Sequence, residues 1–393
     1  MGDDHPLTGF AIAGSCVLAL AVGVCVWHLT GDLSGVRTVD LLDQSQIAGH
    51  LAEGHGIGTS VVRPPDVAGA RELGPVSDRY HAPVVPLLLA SVFALWKCDD
   101  SAVGVALAGV HLALSLTLFL VGARLFGAAT GLLAATLWAA GWRPLQLDFS
   151  SLQSSVVALL LLLVVCAVAG GTESAGGPSA DSGSGQAVPW FRLGLLAGLC
   201  SVTQYSAALI GVILPTWCVV SQRRQRWRRV GALAAGMAIC LLPWGVRNAR
   251  VSGNPFGTMA RLQLVSDTSR FPGSSVLREE GAVSTSVVGF LIQHPRAVLR
   301  KVLRSWRRLI EFGVPGLGFV PGALFVSAAL VGFEGRLPRR VTQWTLALLI
   351  CGLTAVGLTG SSMALLPAVM PLVTLLGSHH LRCVVRARVG DDP

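Results

Sequence analysis

Of the 393 residues, 52% are hydrophobic and 13% charged, about half the charged share of an ordinary soluble domain. The apolar residues gather into runs long enough to cross hydrocarbon, where about 20 suffice and a helix satisfies its own backbone. One large soluble core is thereby excluded, and the expected architecture is an all-α polytopic bundle of roughly ten spans.

The formal net charge is +9, but the basic residues lie between the apolar runs instead of forming one basic domain. Anionic membrane lipid and phosphate are the expected partners, and nucleic acid is not. The nine cysteines are scattered singly without metal-like spacing and read as small apolar packing residues.

Residues 1–6 are acidic where a signal peptide would be basic, so residues 7–27 are read as a retained first span. Residues 31–101 form a first outer loop with juxtamembrane helices. Within it, 82–96 opens on Pro83 and Pro86 and is too short to span comfortably. Further spans are expected at 102–121, 128–142, 152–169, 230–246, 316–333, 341–358 and 363–377. Residues 170–189 are a flexible Gly/Ser linker. The stretch 190–220, interrupted by Gly198, Gln204 and Tyr205, forms either two short spans or one long one.

The second large outer loop covers 247–314. Within it, 296–312 sets Val298, Leu299, Val302, Leu303, Trp306, Leu309 and Ile310 at helical spacing, opposite Arg296, Arg300, Lys301, Arg304, Arg307 and Arg308. This pattern predicts an amphipathic helix in the headgroup plane that attracts anionic lipid. If 82–96 does not cross and 190–220 crosses twice, Arg124 and the clusters at 223–229, 336–340 and 382–388 all fall on one side, expected to be cytoplasmic. If 82–96 crosses and 190–220 crosses once, the later loops keep their sides and only the middle inverts.

The order of several motifs resembles a known superfamily. RTVDLLDQSQIAGHLAEGHGIG and DRYHAPVVPLLLASVFAL follow the first span. LLPWGVRNARVSGNP ends a later span, HPRAVLRKVLRSWRR comes next, and LLPAVMPLVTLL lies near the end. This arrangement resembles the GT-C membrane glycosyltransferases, in particular bacterial relatives of the dolichyl-phosphate-mannose protein mannosyltransferases and of the aminoarabinose lipid A transferases.

The resemblance implies one integral-membrane domain over 1–393, at home in a bacterial cytoplasmic membrane. It also implies transfer of a sugar from a polyprenyl-phosphate carrier to a lipid, glycan or protein acceptor at the outer face. Such chemistry needs a base for the acceptor hydroxyl and cations for the departing phosphate. By the same resemblance Asp40 is the base, with Asp43 on the same helical face. His81 with Tyr80 lines the donor or acceptor site, and Arg247 beside Asn248 holds the carrier phosphate. No cofactor is named, and a divalent metal is left open.

The chain departs from the family where Leu41 replaces a frequent Glu and where Ser361 to Ala364 replace an Arg-Tyr pair. It departs again where Gln153, Ser154 and Ser155 fill a stretch that usually carries an acid.

Spacing alone leaves other readings open. Asp40 and Asp43 also suit a short solvated helix, Tyr80 and His81 an interfacial pair, and Arg247 a snorkelling helix end. At the level of the whole chain, a non-catalytic protein of the same fold that binds lipid carriers or partners remains, as does a transporter. Against the transporter, the spans carry almost no ionisable residue except His111, and the halves show no repeat.

Overall fold

A computed structural model describes residues 5–31, 35, 38–60, 76–141, 151–173, 187–221, 226–255, 262–273, 287–308, 311 and 362–389. The spans expected at 316–333 and 341–358, the cluster at 336–340 and most of the 170–189 linker lie outside the described residues.

The elements in chain order begin with α1 (His5–Gly31), α2 (Val39–Ala52), β1 (Gly58–Thr59), β2 (Val76–Ser77) and α3 (Val84–Leu95). Next come α4 (Asp100–Phe126), α5 (Ala128–Ala139), α6 (Leu152–Glu173) and α7 (Ala187–Thr203). A 3-10 turn (Tyr205–Ala208) leads into α8 (Leu209–Ser221) and α9 (Arg226–Ser252). The last three are α10 (Val287–Gln293), α11 (Pro295–Arg308) and α12 (Ser362–Val389).

Four described stretches have the length and hydropathy to cross a bilayer: Gly9–Gly31, Asp100–Phe126, Arg226–Ser252 and Ala368–Arg386. Together with shorter apolar helices they make a multi-pass integral membrane protein. The 12 residues of α3 reach only about 18 Å at 1.5 Å per residue, well short of the hydrocarbon thickness. The 190–220 stretch forms two helices that break at Gln204.

Local chemistry sets several of these boundaries. α4 begins at Asp100 because the Asp99 carboxylate accepts the Ala102 N–H at 2.9 Å, capping an orphan donor of the first turn. α7 and α9 cross with their backbones nearly touching. A side chain at Gly194 would strike the Leu233 carbonyl, and one at Gly236 would strike that of Phe191. Gly194 and Gly198, four apart on α7, thus supply the small-residue seam by which membrane helices associate without a hydrophobic driving force.

The main core runs along the bundle through Leu114, Phe119, Trp138, Leu162, Leu214 and Leu372. A second, smaller cluster joins Tyr80 to Leu262, Val265, Phe271, Phe290 and Val298. This cluster packs Tyr80 against described residues of the 247–314 segment.

The structure corrects the expected faces of the basic helix. In α11 the inward face is Val298, Lys301 and Ser305. Lys301 is 2% exposed and does not belong to the cationic surface. Its ammonium donates to the carbonyls of Gln263 and, at 3.1 Å, Leu264, which end the helical turn 262–265. Burial lowers its pKa to about 8, with the Asp267 charge acting the other way. Leu299, Leu303 and Trp306 stay exposed at i, i+4, i+7, flanked by exposed Arg300, Arg304 and Arg307. The rest of the expected helix, 309–310 and 312, lies outside the described residues.

Candidate functional site

α2 rests on α3 through Leu41, Ile47 and Ala48, which turns both acids of its first turns toward the segment after β2. The two differ sharply. The Asp40 side chain is 61% exposed and that of Asp43 11%, so Asp43 is not the solvated neighbour that spacing alone allowed. β1 and β2 pair antiparallel, with Gly58 opposite Ser77 and Thr59 opposite Val76. The Asp78 N–H extends this ladder to the Ile57 carbonyl at 3.2 Å.

Asp78 then organises the following turn, as a short acid able to bond the backbone just ahead of it. Its Oδ2 accepts the N–H groups of Tyr80 (3.3 Å) and His81 (2.9 Å), while its Oδ1 lies 3.0 Å from His81 Nδ1. The other ring nitrogen, Nε2, faces Asp40 Oδ1 at 3.6 Å and Asp43 Oδ2 at 3.9 Å. One imidazole is therefore ringed by three carboxylates.

Burial alone would lower the His81 pKa, but hydrogen bonding and charge from Asp40 and Asp78 raise it to about 9. The ring is an imidazolium at neutral pH. Burial pushes the Asp78 carboxyl up, and the bond to His81, its charge and the two N–H donors bring it below the ordinary value. Neither Tyr80 nor His81 is an exposed interfacial residue. Tyr80 is 4% exposed and the His81 side chain 9%.

Two further connections fix the site to the bundle. Gln44 donates to Asp40 Oδ2 at 3.0 Å and lies 3.4 Å from Gln153 Oε1. Gln153 in turn donates to the Thr203 carbonyl at 2.7 Å, at the break between α7 and α8. Tyr205, in that break, donates to the His81 carbonyl at 3.2 Å and accepts the Trp244 indole N–H at 2.9 Å.

Arg247 stacks over Trp244 at 4.8 Å and donates to the Ile57 carbonyl at 3.2 Å and to Asn248 Oδ1 at 3.3 Å. Arg79 lies near enough for its charge to repel that of Arg247. Its Nε is buried and has no hydrogen-bond partner among the described residues.

All six residues singled out in the sequence thus fall in one region: Asp40, Asp43 and His81 as an ionic cluster, Tyr80 behind it, and Arg247 with Asn248 along its wall. Sequence reasoning missed Asp78, Arg79, Tyr205 and Trp244. Asp78 had a usable signal, because an acid three residues before a histidine in DRYH is spaced for a side-chain-to-backbone turn. Gln153, noted only as a missing acid, proves to be part of the Asp40 network.

No family model matches the sequence, and no curated protein matches it. Solved structures do. ArnT from Cupriavidus metallidurans bound to undecaprenyl phosphate superposes with a TM-score of 0.61 at 15% identity, over 95% of this chain and 60% of that one. The Archaeoglobus fulgidus oligosaccharyltransferase in its apo form gives 0.61 at 13%, over 97% and 51%. The archaeal oligosaccharyltransferase AglB from Archaeoglobus fulgidus, in complex with an inhibitory peptide and a dolichol-phosphate, gives 0.55 at 13%, over 97% and 52%. The chain spans half to three-fifths of the length of these proteins. It shares the fold of these proteins, in keeping with the polytopic helical bundle expected from its apolar runs.

Proposed function

We propose that this chain transfers a glycosyl group from a polyprenyl-phosphate carrier to a lipid, glycan or protein acceptor at the outer face of a bacterial cytoplasmic membrane. The observation that carries this reading is an exposed carboxylate, Asp40, aimed by a buried His81–Asp78 pair and set in a region that also holds Arg79 and Arg247. A shared fold with proteins bound to undecaprenyl phosphate and dolichol-phosphate supports it.

In this mechanism the acceptor hydroxyl attacks the anomeric carbon while Asp40 takes its proton. The bond from that carbon to the carrier oxygen breaks, its electron pair leaves with the phosphate, and arginine charge stabilises the departing group. Gln44 on one Asp40 oxygen and His81 near the other fix the direction of the carboxylate. Arg79 contributes directly as a cation. Arg247 holds the Ile57 carbonyl and has to exchange that bond to reach a phosphate. Anionic lipid binds along the arginines of α11.

One feature favours a second reading, a non-catalytic carrier-binding protein of the same fold: Gln153 is neutral in the stretch where the family that the motifs resemble usually carries an acid. Incubating membranes with labelled polyprenyl-phosphate sugars separates the two. Transfer that depends on this chain is the expected result. Donor binding without transfer, unchanged by Asp40→Asn, would establish the second reading instead.

A further inference from the structure

α2 ends in the sequence HLAEGHGIG, and this end folds tightly back on itself. The Glu53 N–H reaches the Gly49 carbonyl at 3.0 Å, the Gly54 N–H reaches Leu51 at 3.1 Å, and the His55 N–H reaches His50 at 2.8 Å. Gly54 and Gly56 both have φ of +82°, a left-handed conformation that strains a side-chain-bearing residue and that glycine adopts freely.

The turn collects His50, Glu53 and His55, with one ligand atom from each, all within 4.8 Å of one another. His55 Nδ1 lies 3.3 Å from Glu53 Oε2. His50 Nε2 lies 3.0 Å from Ser60 Oγ, while its Nδ1 is buried and has no hydrogen-bond partner among the described residues. A proton on Nε2, donated to Ser60, leaves the Nδ1 lone pair available. A hydrogen bond from the second ring nitrogen is how metal-ligating histidines are usually oriented.

We propose that His50, Glu53 and His55 bind one zinc-class divalent cation, with water at a fourth position. Two imidazoles and a carboxylate suit zinc, cobalt or nickel and not the all-oxygen preference of magnesium or calcium. Ligand atoms around a tetrahedral zinc lie about 3.3 Å apart, given bonds near 2.0–2.1 Å. His55 Nδ1 and Glu53 Oε2 already stand 3.3 Å apart, and rotation of the exposed Glu53 and His55 side chains closes what remains of the 4.8 Å spread.

The ion would clamp the turn that leads into Ile57, whose carbonyl accepts from both Asp78 and Arg247. It would therefore brace the acid–histidine cluster from outside without touching it. The proposal does not depend on glycosyl transfer.

The test uses the full chain purified in detergent, stripped with chelator and titrated with Co²⁺ and then Zn²⁺, following ligand-field absorption, metal content and thermal unfolding. The expected result is one ion per chain, a thermal stabilisation by Zn²⁺, and a loss of affinity of at least about tenfold in His50→Ala/His55→Ala and in Glu53→Gln. Asp40→Asn/Asp43→Asn should bind as the parent does. An apo melting temperature of the His55→Ala single variant equal to the parent's shows that the fold survives the loss of a ligand. A parent chain that binds no ion, or binding lost with Asp40 and Asp43 but kept without His50 and His55, overturns the proposal.

Discussion

α2 and α11 are each 14 residues long, yet they treat charge in opposite ways. α2 turns carboxylates toward a buried histidine and settles the result with ion pairs. α11 sends its arginines outward, beside an exposed apolar stripe, and buries only Lys301 on backbone carbonyls. In α2, charge is part of the packing and fixes a geometry. In α11, nearly all of it is available to the surroundings. A buried charge left without its partner costs several kcal/mol, whereas an exposed one costs little either way. Substitutions should therefore hurt stability at the first helix and lipid association at the second.

The largest effect is expected at Asp78. Asp78→Ala leaves the His81 imidazolium without its closest partner and two N–H groups without their acceptor, at a cost of about 3–5 kcal/mol. A large fall in unfolding midpoint, or failure to accumulate folded protein, is the expected outcome. A midpoint equal to the parent's would mean that the cluster is solvated and the contrast with α11 unreal.

Alkaline pH probes the same group without mutation. The folded-state pKa of His81, about 9, lies above its ordinary 6.5. Its contribution is thus complete below about 6.5 and disappears as pH rises through about 9, on the order of 3 kcal/mol in all. Melting should show this alkaline loss in the parent and lack it in His81→Gln.

Lys301→Ala leaves the Gln263 and Leu264 carbonyls short of a donor and should cost about 1–3 kcal/mol, while keeping the alkaline loss near pH 9 that belongs to His81. The smallest change in stability belongs to Arg300→Gln with Arg304→Gln, which should leave the melt unaltered. Retention of anionic lipid, read by native mass spectrometry, should fall roughly fivefold for each arginine removed. A melt as sensitive here as at Asp78 would erase the distinction between the helices.

The sequence made the bundle legible because apolar run length has one physical meaning in a bilayer, and the break at Gln204 showed as a polar interruption. Asp40, Asp43 and His81 were legible only through their motifs, since nothing local brings 40 and 43 to 81. That meeting depends on α2 packing against α3 and on the short ladder between β1 and β2. Lys301 was misread because helical periodicity assigns a residue to a face by angle. It cannot foresee a helical turn, 262–265, whose carbonyls need a donor. Tyr205 and Trp244 lie in apolar stretches where an aromatic residue usually means packing, and only the fold shows their polar atoms linked to the His81 carbonyl.

The most direct test of the account compares Asp40→Asn with the parent in a transfer assay using a labelled polyprenyl-phosphate sugar. Abundance and donor binding are measured alongside. The amide keeps the shape of the carboxylate and can still meet His81, but it takes no proton at neutral pH. Transfer should fall by about 10²- to 10⁴-fold, with folded protein and bound donor unchanged. Full transfer by Asp40→Asn would contradict the assignment of Asp40 as the base.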